Sequence, residues 1–224
     1  MAKFDMPKTG GWEVRGGWLV RRLAEDFKLT LEQAAGFVGN LGYESVGLTE
    51  LQERKPLIAG SRGGYGWAMH TRSRRLALED YARKRGLAVG SDEAQYGFIS
   101  HELRGSHANV LARLKDCASL KEACNLVHVM YERSYDVITG TYASAPDRLH
   151  YAERALAGAR DLEKGKSFAP PVAVEKALVA FEEAAKRLQI ELQKEGLYRG
   201  QIDGLFGPVS WAAFRAYRKA YPGK

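Results

Sequence analysis

The sequence predicts a mainly α-helical protein. Two observations carry the expectation: apolar residues recur at three- and four-residue spacing, and good N-cap residues open these stretches while glycine or proline closes them. An apolar share of 45 % over 224 residues gives room for one domain of ordinary size and a small second one.

Residues 1–10 read as a loose arm. From Gly11, the spacing of Trp18, Leu19, Leu23 and Phe27 predicts a first helix ending near Lys28. Thr30 is a good N-cap, and Gln33 three residues on closes a capping box. Ala34, Ala35, Phe37, Val38 and Leu41 then carry a helix from Leu31 to about Tyr43, which delivers Glu44 in its last turn. Gly39 and Gly42 each cost about 1 kcal/mol against Ala inside a helix, so they point to close packing or to the helix end. Residues 46–66 hold Pro56, Gly60, Gly63, Gly64 and Gly66 and cannot form one helix; a groove-lining loop or short hairpin is expected.

A helix over Arg72–Arg85, stopped by Gly86, is expected to turn Leu76, Tyr81 and Ala82 inward. Ser91 opens the next, with Tyr96, Ile99 and Leu103 inside. Ser106 caps a short helix through Leu111 and Leu114, and Ser119 with Glu122 makes another capping box before Ala123, Leu126, Val127 and Met130. Pro146 suits the start of a last helix over Asp147–Glu163. Composition then changes at Lys164–Pro171, where paired prolines cannot continue a helix. The expected division is a domain over 1–165, a linker over 166–172 and a second domain over 173–224. In that domain Val174, Leu178, Phe181, Ala185, Leu188 and Leu192 form one stripe ending at Gly196. A glycine-rich loop and a helix burying Trp211, Phe214 and Tyr217 follow.

A net charge of +7 and a pI near 9.4 suggest an anionic partner. The basic residues are interleaved with acids, so a generally basic surface is expected and nucleic-acid binding is not. The two cysteines, Cys117 and Cys124, are too few for a disulfide framework and read as small core residues in a reducing compartment. His101 and His107 are six apart, no His-Glu-x-x-His occurs and neither cysteine has zinc-site spacing, which argues against a zinc amidase or peptidase. The glycine clusters do not follow a strand in the phosphate-binding arrangement, so no nucleotide and no other cofactor is expected. An anion such as Glu44 is disfavoured at the carbonyl end of a helix among apolar neighbours. That environment suits a general acid.

The stretch LTLEQAAGFVGNLGYESVGL (29–48) resembles the phage tail lysozyme family, with its AAG-x-x-GNL-x-x-ES-x-G signature; GSRGGYGWAMHTRSRR (60–75) and SDEAQYGFISHELRGS (91–106) are similar to its later motifs. The resemblance runs from about Leu29 to Leu156. It implies a lysozyme-like helical fold, Glu44 as catalytic acid, and Tyr65 and Gly66 as a substrate-lining turn. Thr71 keeps its hydroxyl, but Met69 and His70 stand where the family has Gln and Trp. Glu53 follows Glu44 after eight intervening residues, as the second carboxylate does in lysozymes of the T-even phage type, with Ala59 in place of their Thr; Glu50 competes for that role. Ser45 directly after the acid is similar to the Glu-Ser pair that lines the cleft of lytic transglycosylases. Residues 187–217 resemble a small three-helix peptidoglycan-binding domain, which implies wall contacts from Tyr198, Asp203 and Trp211.

The resemblances together imply a modular, monomeric phage endolysin that cuts the MurNAc-GlcNAc backbone of peptidoglycan. A lytic transglycosylase, or a virion protein impaired by the changes at Met69 and His70, remains open beside it. MAKFDMPKTGGWEVRGG has no apolar signal-peptide core, and no run is long enough to span a membrane. Synthesis in the host cytoplasm and action on the wall after release are therefore expected. Residues 1–165 alone should still cut purified peptidoglycan, with weaker retention that falls as salt screens exposed charge within about 8 Å. The isolated 173–224 segment should pellet with sacculi at high salt; equal behaviour of whole and truncated protein at every salt concentration would make that segment a structural appendage.

Overall fold

Thr30 fixes the start of the central helix as its side chain predicts: the Gln33 amide donates to Thr30 Oγ1 at 3.2 Å and the Thr30 amide donates to Gln33 Oε1 at 3.0 Å. This helix, α2, runs Leu31–Glu44 and buries every residue from Gln33 to Gly42, as a helix apolar on all sides must. Before it, α1 (Trp12–Phe27) buries Leu19, Val20, Leu23 and Phe27 on one face and stops at Lys28, which is left-handed. The computed structural model describes residues 4–54, 56, 60–164, 172–198 and 202, without the side chains of 172–182.

Around α2 stand α3 (Arg72–Lys84), α4 (Asp92–Arg104), α5 (Ala108–Lys115), α6 (Leu120–Val127), a π-helical turn (His128–Glu132), α7 (Tyr135–Ile138) and α8 (Ala145–Glu163). Among the described residues there is no β-strand, and the anticipated hairpin reduces to isolated antiparallel bridges of Tyr65 with Gln52 and with His70. The inner face of α3 also differs from expectation. Arg75, Leu78 and Ala82 are buried, each about one turn from the next, while Leu76 is 59 % exposed. The cap of α5 is His107, and Ser106 contacts the His107 ring instead. Glu122 reaches past Ser119 to the Ala118 amide, so only half of that capping box forms. Neither the π-helical turn nor α7 follows from a 3.6-residue period.

Close approach of α8 to α1 and α2 decides the packing. A Cβ on Gly39 would lie 2.4 Å from Ala152 Cβ, and one on Gly17 would lie 2.5 Å from the Gly158 carbonyl carbon. Of the two uses open to Gly39, close packing is therefore the actual one. Around this contact Leu41, Phe37, Leu103, Val127 and Tyr131 form a continuous core. Cys117 and Cys124 are buried free thiols within the same unit.

The chain divides into two compact units, Met1–Phe168 and Ala169–Lys224. In the second, α9 spans Val172–Lys194, and Leu192 and Tyr198 are buried with Leu188 and Leu197 against them. Residues 166–171 of the expected 166–172 linker lie outside the described residues, as do Asp203, Trp211 and the rest of the expected C-terminal loop and helix apart from Ile202.

Gly39→Ala should destabilise the protein by about 1–3 kcal/mol through overpacking, despite the better helix propensity of alanine. Denaturant unfolding measures this; a neutral or stabilised variant would contradict the close α2–α8 contact.

Candidate active site

Glu44 ends α2 with its side chain 19 % exposed, and Arg148 from α8 meets it there. Arg148 Nη2 donates to Glu44 Oε1 at 2.5 Å, Nη1 to Asn40 Oδ1 at 3.1 Å and Nε to Ser144 Oγ at 2.9 Å, and the guanidinium lies 4.4 Å from the centre of the Tyr43 ring. Asn40 is itself fixed, donating to the carbonyls of Gly36 and Cys124. Where apolar neighbours were expected around this carboxyl, a buried cation stands beside it.

A further shell orients Arg148. Ser144 Oγ, which accepts from Arg148, donates to Asp136 Oδ2 at 2.7 Å, and the Ser144 amide donates to the same oxygen at 2.9 Å. His128 Nε2 lies 3.0 Å from Asp136 Oδ1. Burial pushes the Asp136 carboxyl up, but hydrogen bonds from Ser134, Ser144 and His128 outweigh it and hold the carboxyl well below the usual range. Asp136 therefore stays ionised and anchors the chain of contacts leading to Glu44.

A groove of about 450 Å³ opens over these groups, lined by Glu44, Glu50, Glu53, Met69, Thr71 and Glu132 among others. Glu53 Oε2 accepts from the Gly64 amide at 2.6 Å, which ties it to the glycine-rich loop, while Glu50 pairs with Arg54. Both rival second carboxylates face the same space as Glu44. Glu132 was not legible in the sequence. It sits in the π-helical turn, where an extra residue per turn breaks helical periodicity, a feature frequent at functional sites. Its Oε1 is sealed from solvent and accepts no hydrogen bond. Burial, reinforced by the negative charge of Glu44 and opposed by Arg148 and Arg74, holds its carboxyl well above the ordinary range. Glu132 thus brings a carboxyl with a raised pKa to the groove wall.

The other expected site residues divide. Thr71 is exposed on the groove wall and caps α3. Ser45 is fully buried, its hydroxyl donating to the Leu41 carbonyl at 2.6 Å and accepting from the Leu48 amide at 3.1 Å, so it closes the helix and is not on the wall. Tyr65 lies under the Arg75 guanidinium at 5.0 Å and organises the loop through its two bridges. Gly66 has φ +88°, and a Cβ there would be 2.3 Å from Gln95 Oε1, so its part is in the backbone. Met69 lines the groove, but His70 is buried edge-on against Phe98. The His70 change therefore removes nothing from the wall. Ala59 lies outside the described residues. In the second unit Tyr198 is buried, with Gln189 Nε2 3.3 Å from its hydroxyl, as a residue anchoring the glycine-rich loop to the core; the wall contact that the resemblance implied for it is not exposed.

A second trough, about 590 Å³, shares Glu53, Thr71 and Tyr135 with the groove and continues past Arg72, Leu76 and Ile138. Among the described residues no group of three His, Cys, Asp or Glu side chains is placed to hold a metal ion.

The family model described as phage tail lysozyme matches residues 19–157, which is more than half of the chain and holds every groove residue named above. No curated protein and no solved structure matches the chain.

Burial, with the charge of Arg74 beside it, pushes the His70 pKa down to about 3, against about 6.5 for an unfolded histidine. The folded state favours neutral His70, so this contribution to stability is fully present above about pH 6.5 and is lost as pH falls from there toward 3. His70→Gln should flatten the decline of the unfolding midpoint across that window. An unchanged slope would contradict the burial of a neutral imidazole.

Proposed function

The chain belongs to the phage tail lysozyme family, and we propose that it hydrolyses the β-1,4 bond between MurNAc and GlcNAc as a modular endolysin. The family's lytic action on peptidoglycan is the broader premise. The observation that carries the finer assignment is the Glu44 carboxyl, held at Oε1 by buried Arg148 on the wall of a groove that also presents Glu53.

In this mechanism Arg148 and its Ser144–Asp136 support fix one oxygen of Glu44, leaving Oε2 for the substrate. Glu44 gives its proton to the glycosidic oxygen as the bond to the departing sugar breaks. Glu53, oriented by the Gly64 amide, activates the water or stabilises the sugar cation that develops. Thr71 offers a hydroxyl to the sugar. One observation favours the transglycosylase alternative: Glu50 and Glu53 each already have a partner, Arg54 and the Gly64 amide. Glu44 acting alone as acid and then base would leave anhydro-muropeptides.

The 173–224 segment is proposed to hold the enzyme on the wall, raising its effective concentration there. Asp203 and Trp211 remain its proposed contacts, while Tyr198 is a core residue. The protein is proposed to act as a monomer after release from the host cytoplasm; among the described residues no helix is long and apolar enough to cross a membrane.

Glu44→Gln should lower turnover on purified sacculi by at least ~100-fold while leaving folding and wall binding intact, the usual scale of general acid catalysis. Near-normal lysis would reject the assignment. Mass analysis of the wild-type products separates the mechanisms: reducing MurNAc ends indicate hydrolysis, anhydro ends transglycosylation, and no products a binding-only protein. Glu53→Gln should impair hydrolysis strongly; if Glu132→Gln does so and Glu53→Gln does not, the second role passes to Glu132.

A further inference from the structure

The trough beside the groove differs from it in chemistry. The groove over Glu44 is walled mainly by carboxylates, hydroxyls and a few cations, which suits the hydroxyls and amides of a glycan. Its continuation is walled by Leu76, Tyr135 and Ile138, which are 59 %, 66 % and 75 % exposed, and by arginines. Large apolar side chains so open to water, gathered on one wall, mark a contact surface. Arg62 and Arg75 in this wall pair with Glu79, whereas no ion pair engages Arg72 among the described residues. Arg72 also has φ +47°, a left-handed conformation uncommon for a side chain of its kind.

An occupant must therefore offer apolar groups and at least one anion, and must be attached to whatever lies over Glu44, because the two spaces join at Glu53, Thr71 and Tyr135. A sugar chain alone does not meet this description. A short peptide with methyl side chains and free carboxylates, branching from the glycan, does. Resting on the assignment of the groove to the glycan strand, we propose that this trough binds the stem peptide of peptidoglycan, with Arg72 pairing with a stem carboxylate and Leu76 and Ile138 covering its alanine methyls. The enzyme then selects peptide-bearing strands over bare ones.

The test uses the full-length protein and soluble glycan oligomers, either bearing intact stem peptides or stripped of them by an amidase that cuts the lactyl-alanine amide. We expect kcat/KM to be about tenfold higher on the peptide-bearing oligomers, which corresponds to the burial of one or two aliphatic side chains with one exposed ion pair. Arg72→Glu and, separately, Ile138→Asp should each reduce that preference severalfold and leave cleavage of stripped oligomers unchanged, which also shows that the variants are folded. Equal rates on the two substrates, or variants that lower both rates alike, would overturn the peptide site while leaving glycan cleavage standing. Failure to cut either substrate would overturn the glycan assignment itself and the peptide site with it.

Discussion

A guanidinium removed from water must have its charge balanced and its donors satisfied, and the side chain of Arg148 is only 2 % exposed. The Glu44 carboxyl, Asn40 and Ser144 provide the acceptors. These partners come from the end of α2 and from the start of α8, so both helix termini are placed by one electrostatic requirement. The helices can meet that requirement only by approaching more closely than ordinary side chains allow. Gly39 against Ala152 and Gly17 against Gly158 make the approach possible. The orientation of the Glu44 carboxyl is consequently set by backbone packing in the core as well as by its own rotamer.

Four glutamates share the groove wall, each in a different environment. Glu44 has an arginine in the interior, Glu50 an arginine at the surface, Glu53 a backbone amide, and Glu132 no partner at Oε1. Different surroundings for chemically identical side chains are how one site holds distinct protonation states at a single pH. The turn carrying Glu132 is anchored from its other side. Tyr131 donates to Glu102 Oε2 at 2.6 Å, and Arg74 donates to both Glu102 oxygens at 2.8 and 2.9 Å. Burial pushes the Glu102 carboxyl up, but the bonds from Arg74 outweigh it and hold it below the ordinary range, so the cluster is an ion pair.

Local signals settled most of the secondary structure. The capping box of Thr30 and Gln33, Ser91, Ser119 and Pro146 mark helix starts through interactions spanning at most four residues, which the sequence displays directly. The family signature, together with Glu44 as the last residue of its helix, was legible for the same reason. Where a boundary depended on competing neighbours the sequence was ambiguous. Ser106 was expected to cap α5, but the helix begins one residue later, with His107 in the N-cap position and no side-chain cap bond.

Tertiary structure decided the rest, because the deciding contacts join residues far apart in the chain. Nothing near Glu44 announces a cation 104 positions later, yet Arg148 arrives there once α8 packs on α2. Ser45 carries a hydroxyl that the resemblance assigns to a cleft; the packing around it makes it a buried helix-end bond. Glu132 is conspicuous only after burial has taken away its solvent and the fold has brought it to Glu44's groove. The sequence by itself determined the helices, the family and the identity of one carboxyl, since these rest on local periodicity and short motifs. The partners, exposure and charge state of the groups around that carboxyl depend on distances between separate helices, and only the packed structure fixes those.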